Sequence, residues 1–162
     1  CGYSPRMRFD LPVNILTNHA VNRRVVTVFG GNQKRPNIHI DDMVDLYSTL
    51  LEAPDERIAG ETFNAGYENR TVREIAETVK GVVEDGFPVK APLPIVTKES
   101  DDIRSYRVTS DKITQELGFS PSRTIGDAAR ELCDAFVAGI VHDPLNNSRY
   151  YNINMMKEIT LT

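Results

Sequence analysis

The stretch Val25 to Leu51, VVTVFGGNQKRPNIHIDDMVDLYSTLL, constrains the fold more than any other part of the chain. Val25–Phe29 is β-branched and aromatic and reads as a short strand, which Gly30-Gly31 ends in a turn. Pro36–Ile40 alternates, Ile38 and Ile40 pointing one way and Asn37 and His39 the other, and reads as a second strand. A helix over about 42–53 comes next, with Asp41 or Asp42 as N-cap and Pro54 as its stop. Its expected buried face is Met43, Leu46 or Tyr47, Leu50 and Leu51. Between the strands, Phe29 offers a surface for a flat ring, and Arg35 a planar fork for a phosphate.

The flanks supply packing and further loops. Asp10 is expected to cap a helix over about 11–23, with Leu11, Ile15, Leu16, Ala20 and Val21 as its stripe and Pro12 in its first turn. Asn14 lies in that turn, where its amide faces either an anion or ribose, or plain solvent. ETFNAG (61–66) reads as a short strand. Thr71-Val72-Arg73-Glu74 is a capping box, and Val72, Ile75, Ala76, Val79 and Val83 keep the spacing of one buried face. Pro88, Pro92 and Pro94 lead to a strand at Leu93–Thr97, then to the acidic loop Glu99–Asp102 and Arg104. For Arg104 the plain alternative to a ligand contact is an ion pair with Asp101 or Asp102. Ser110 is placed as the cap of a short helix ending at Gly118. Thr124 opens a longer one to about 140, with Ile125, Ala128, Ala129, Leu132, Phe136 and Ile140 in line. From 142 to 162 the tail is polar, anchored by Tyr150-Tyr151. The alternation is α/β, or α+β for a lobe on its own, with few strands for a self-sufficient sheet.

A net charge of −4 argues against a nucleic-acid or polybasic membrane partner, since both need a basic face. No apolar run reaches the roughly 20 residues that span a bilayer. Cys1 and Cys133 imply no disulfide framework, and a cytoplasmic protein is the expectation. A first residue other than Met suggests a fragment, a processed product or an expression product. His19, His39 and His142 are far apart without paired ligand spacing, so no metal is expected. Cys133 falls on an apolar stripe and reads as a buried, inert thiol. G-x-G-x-x-G, the P-loop and G-x-S-x-G are all absent.

The segments CGYSPR, VTVFGGNQKRPNIHIDDM, GETFNAG, DDIRSYRVTSDKITQELGFSP and TIGDAARELCDAF together resemble the second half of an extended short-chain dehydrogenase/reductase. The branch is that of the NAD-dependent nucleotide-sugar epimerases and dehydratases, and the likeness covers about residues 1–140. It implies the C-terminal part of a Rossmann-type fold: a substrate-binding lobe over 1–141, followed by the tail. The family's glycine-rich NAD loop and its Tyr-x-x-x-Lys pair are missing from this sequence, since no Tyr here is followed four residues on by Lys. The resemblance therefore implies no catalytic residue and no cofactor in this chain, NAD belonging to the missing half. It places Asn14 at the nucleotide, Thr27 and Phe29 along the nucleobase, Arg35 on the diphosphate and Asp102 on the ribose. Many members have an Arg three or four residues before that Asp; here those positions are Glu99 and Lys98, with Lys98 or Arg104 as substitutes. The implied partners are a UDP-, dTDP- or CDP-linked sugar, and the missing half or a second copy across an exposed docking face. The alternative is a non-catalytic binding or interaction module derived from such an enzyme.

Overall fold

The computed structural model describes residues 1–87, 91–102 and 104–159, so Pro88 of the proline-rich passage lies outside the described residues. Three helices carry the core: α1 (Pro12–Arg23), α4 (Val72–Gly86) and α6 (Ile125–Val137) pack on one another, and α1 and α4 also pack on strand β1 (Val26–Phe29). Leu16, Val26, Val28, Ile75, Val79, Val83, Ile125 and Ala129 are buried in this cluster. The expected stripes of α4 and α6 thus face inward. Each of these two helices opens on a capping box, Thr71 with Glu74 and Thr124 with Asp127, so side chains satisfy amides that have no partner inside the helix.

Strand β1 pairs in parallel with β4 (Ile95–Lys98), Val26 opposite Ile95 and Phe29 opposite Lys98. A second, antiparallel pair joins β2 (Lys34–Asn37) to β3 (Glu68–Thr71). The remaining helices are α2 (Ile40–Glu52), the single turn α3 (Asp55–Ile58), α5 (Asp111–Leu117) and α7 (Asn152–Glu158), with a 3-10 turn at Ser148–Tyr150.

Several expectations are corrected. Asp10 does not cap α1: Leu11 is the N-cap, without a side-chain bond, and the Asp10 carboxylate instead takes Arg8 and the Asn152 N–H. The second strand lies at 34–37 rather than 36–40, because the Ile40 N–H leaves the ladder for the Cys1 carbonyl and starts α2. The cap of α2 is His39, whose Nδ1 accepts from the Asp41 N–H at 3.2 Å, not Asp41 or Asp42. On α2 only Leu46 of the expected apolar face is fully buried; Tyr47 and Leu51 are 61% and 88% exposed. ETFNAG is not a strand, and the pairing residues begin at Glu68. Ser110 precedes α5 but makes no cap bond; its hydroxyl holds the Gly66 backbone across the loop. Helix α6 ends at Val137, leaving Ile140 half exposed. The tail carries two helical turns, and Tyr150 and Tyr151 do anchor it, both against Phe9.

Helix α1 is buried nearly all round, including Asn14, Thr17, Asn18 and His19. Nδ1 of His19 has no hydrogen-bond partner among the described residues. Burial, with the nearby Arg23 charge, holds its pKa below the ordinary 6.5. Below that value the unfolded chain takes up the proton more readily, so stability falls as pH drops, and is unaffected by this group above it. Between about pH 7 and about pH 5, His19→Gln should flatten a stability slope of up to about 1.4 kcal/mol per pH unit. Urea melts across that range would read the difference between the two proteins.

Candidate functional site

The turn after β1 is built tightly. Gln33 reaches back so that its amide donates to the Phe29 carbonyl and accepts from the Gly31 N–H, at 2.7 and 2.6 Å. This clamp leaves the Phe29 ring outside the core, 51% exposed, beside the first turn of α1. Phe29, Thr27, Leu11, Pro12, Ile15, Arg35, Asp102 and Tyr106 are among the residues that line a cleft of about 370 Å³, to which Asp10 adds a carboxylate.

Part of this lining is a charged knot. Arg35 is mostly buried, with a side chain 13% exposed. Its Nη2 donates to Asp102 Oδ2 at 2.9 Å, and its Nη1 donates to the carbonyls of Lys34 and Arg104. The guanidinium lies 5.5 Å from the centre of the Tyr106 ring, within reach of a cation–π contact. Asp102 also receives Arg104, Nε to Oδ1 at 2.7 Å and Nη2 to Oδ2 at 2.9 Å. The Arg104 bonds, and more weakly the charge of Arg35, hold the Asp102 carboxyl well below the usual carboxylate range. A second, more polar cleft of about 410 Å³, lined by Gly30, Asn32, Ser100 and Ser105, lies along the same Asp102. An apolar floor bounded by a guanidinium and an ionised carboxylate suits a ligand with a flat ring at one end, and hydroxyls and anionic groups at the other.

The fold therefore brings Thr27, Phe29, Arg35 and Asp102 into the lining of one cleft, with Arg104 bonded to Asp102. Two other sequence candidates lie elsewhere. Asn14 is buried and faces the N-terminal segment: its Oδ1 accepts from the Gly2 N–H at 3.1 Å, and its Nδ2 donates to the Arg8 carbonyl at 3.0 Å. Lys98 is exposed at the end of β4, and its carbonyl accepts the Gly30 N–H that continues the β1 ladder. Tyr106 and Gln33 were not among the candidates. A lone Tyr or Gln in a loop carries no pattern: Tyr106 gains its place where its N–H meets the Lys34 carbonyl of β2, and Gln33 from the turn that it clamps.

A cluster missed by the sequence joins His39, Asp41 and Glu131, whose ligand-type atoms lie within 4.8 Å of one another. His39 Nε2 is 3.2 Å from Glu131 Oε2, which also accepts from the Tyr3 N–H at 2.8 Å. Gly2 stands over this contact at φ +102°, and a Cβ there would lie 2.8 Å from His39 Nε2. The Nδ1 atom is engaged by the Asp41 amide, and Arg123 approaches Asp41 to 3.8 Å. With these atoms already partnered, the cluster serves as a joint between α2, α6 and the N-terminal segment. Among the described residues, no helix is long and apolar enough to cross a membrane.

Comparisons with known proteins bear on the sequence family and the fold. Residues 3–66 match the model of the family described as the NAD dependent epimerase/dehydratase family. The chain is 26% identical over 135 residues to the dTDP-glucose 4,6-dehydratases of Shigella flexneri and Escherichia coli, a stretch covering 79% of this chain and 36% of each of those proteins. The chain thus spans little more than a third of the curated relatives it matches. In fold it is similar to the dTDP-glucose 4,6-dehydratase of Bacillus anthracis, solved in complex with NAD, at TM-score 0.67 and 17% identity, over 95% of this chain and 45% of that one. It is likewise similar to the UDP-glucose 4-epimerase of Thermotoga maritima, solved with UDP-glucose, at TM-score 0.65 and 22% identity, over 86% and 44% of the two chains. The architecture is mixed α/β, a small lobe matching part of these Rossmann-like short-chain dehydrogenase/reductase folds, and in sequence the chain is similar to the NAD dependent epimerases and dehydratases.

Proposed function

We propose that this chain is the nucleotide-sugar-binding part, the second half, of an NAD-dependent epimerase or dehydratase. The observation that carries the reading is the Arg35–Asp102 pair at the edge of an apolar cleft floored by Phe29 and Thr27. In this reading a nucleobase rests on Phe29, Asp102 accepts from ribose hydroxyls, and the guanidinium side of the cleft faces the diphosphate. The relatives' names, dTDP-glucose 4,6-dehydratase and UDP-glucose 4-epimerase, point to the same class of ligand.

The turn after β1 does not fit the pyrophosphate of NAD. Strand β1 does run into Gly30-Gly31, but it continues into the Gln33 clamp and β2, not into a helix whose N-terminus could face a pyrophosphate. No step through NAD is therefore assigned to these residues, and the chain alone is expected to turn over no nucleotide sugar. Calorimetry with UDP, dTDP, CDP and GDP tests the binding reading. Binding of at least one supports it, and binding of none contradicts it. Incubation with NAD and a panel of nucleotide sugars tests the rest, and turnover by the pure chain would refute the division of labour.

Apolar surface on this lobe suits a second polypeptide, either a cofactor-binding part or another copy. Parallel strands are usually covered on both faces, yet β1 and β4 form a pair with Phe29 51% and Val96 42% exposed. Val44, Tyr47 and Leu51 leave a second apolar stripe along α2. Light scattering on the chain should give a mass above 18.2 kDa. A monodisperse monomer would count against association.

A further inference from the structure

The geometry points to Arg104, rather than the more buried Arg35, as the guanidinium that takes the ligand's diphosphate; Asp102 holds it in place while the site is empty. This assignment rests on the nucleotide-binding reading and deepens it.

The two arginines on Asp102 are not equivalent. Arg35 has a side chain 13% exposed and is fastened at three points: the Lys34 carbonyl, the Arg104 carbonyl and Asp102 Oδ2. Turning it toward a ligand would strip two backbone carbonyls of their donor, and unpaired acceptors in a partly buried place are costly. Arg35 is thus a positioning residue that ties Asp102 and Arg104 to β2. Arg104 has a side chain 80% exposed, and both of its bonds run to Asp102. It can leave Asp102 without stranding a carbonyl, and Asp102 keeps Arg35 at 2.9 Å when it does.

Charge points the same way. Two guanidinium groups around one carboxylate leave a net positive knot beside the cleft, with Asp102 as the shared wall of both clefts. The Arg104–Asp102 fork is bidentate but open to solvent, so a diphosphate, which offers the same fork more negative charge, can compete for it. Departure of Arg104 also frees lone pairs of Asp102 to accept from ribose hydroxyls. A single exchange of partners then prepares both halves of the contact.

The test compares the wild-type chain with Arg104→Ala, Arg104→Lys and a remote charge loss on α7, Lys157→Ala. Each is titrated with the tightest wild-type binder among UDP, dTDP, CDP and GDP, and with the matching nucleoside without phosphates. The expected result is an affinity for the diphosphate about tenfold lower in Arg104→Ala, the loss of one charge-assisted contact. Arg104→Lys should fall between, because it keeps the charge and loses the fork. The nucleoside should bind no more weakly to Arg104→Ala than to wild type, and Lys157→Ala should match wild type for both ligands. Diphosphate binding by Arg104→Ala as tight as wild type, or equal losses for diphosphate and nucleoside, would overturn the assignment while leaving the nucleotide-binding reading intact. Failure of wild type to bind any of the four diphosphates would overturn both.

Discussion

Phe9→Ala is expected to destabilise the chain by about 3–5 kcal/mol, the range for removing a fully buried aromatic ring. Phe9 is 0% exposed and sits at the centre of an aromatic group. Its ring stacks on Phe136 of α6 at 5.9 Å and meets Tyr150 edge-on at 5.2 Å, with Tyr151 at 6.3 Å. Its own N–H donates to the Tyr150 carbonyl at 2.8 Å, so backbone and ring both fasten the tail. Leu132, Met7 and Val141 complete this second core, apart from the helix layer around β1. The collapse available to the site is limited because backbone on two sides is fixed by hydrogen bonds, which favours a lasting cavity over repacking. Urea denaturation read by circular dichroism measures the loss. Limited proteolysis should show cleavage near Ser148–Glu158 appearing in the variant at native conditions. A change under about 1 kcal/mol would mean that the tail is not held through Phe9.

Asp42→Ala should rank second, at about 3 kcal/mol, from stranded donors rather than lost apolar area. Asp42 is 2% exposed, and its carboxylate accepts the N–H groups of Ser122 and Arg123 at 3.1 and 3.0 Å. Its other oxygen takes Arg123 Nη1 at 2.7 Å. These bonds fix the loop that delivers Thr124, the cap of α6. Removing the carboxylate leaves two backbone donors without an acceptor at a partly buried site, and each such donor costs about 1–3 kcal/mol. Two comparisons isolate the cause. Asp42→Asn keeps an oxygen for the amides and should lose markedly less. Asp45→Ala removes a further Arg123 partner, at 2.8 Å, but its side chain is 58% exposed, and such pairs contribute about 0–1 kcal/mol. If Asp45→Ala proved as damaging as Asp42→Ala, the Arg123 ion pairs rather than the amide contacts would be holding the loop.

Asp42 also shows what a sequence can and cannot carry. The capping boxes at Thr71 and Thr124, the inward stripes of α4 and α6, the glycine ending α5 and, to within two residues, the strands β1 and β4 were legible, because each depends on residues close in sequence; the pairing of the two strands was not. Asp42 and Arg123 are 81 positions apart, and nothing local tells a buried acceptor from a helix cap. Nor does the spacing of Tyr47 and Leu51 reveal that no described element covers them. His39 read as a strand residue because alternation is the same for a strand and for a chain about to turn into a helix; its capping bond decided otherwise. At the candidate site, Thr27, Phe29, Arg35 and Asp102 line one cleft. Asn14 does not join them. Its amide is needed by the N-terminal segment, a demand made by residues on which the helical pattern is silent.

The central claim is that the cleft between Phe29 and the Arg35–Asp102 pair receives a nucleoside diphosphate. Isothermal titration calorimetry of the chain with UDP, dTDP, CDP and GDP, repeated with Phe29→Ala, tests it most directly. The predicted result is saturable binding of at least one of the four, weakened about tenfold or more when the Phe29 ring is removed, in line with about 1–3 kcal/mol for a base stacked on an aromatic side chain. Absence of binding by all four, or binding indifferent to Phe29, would contradict it.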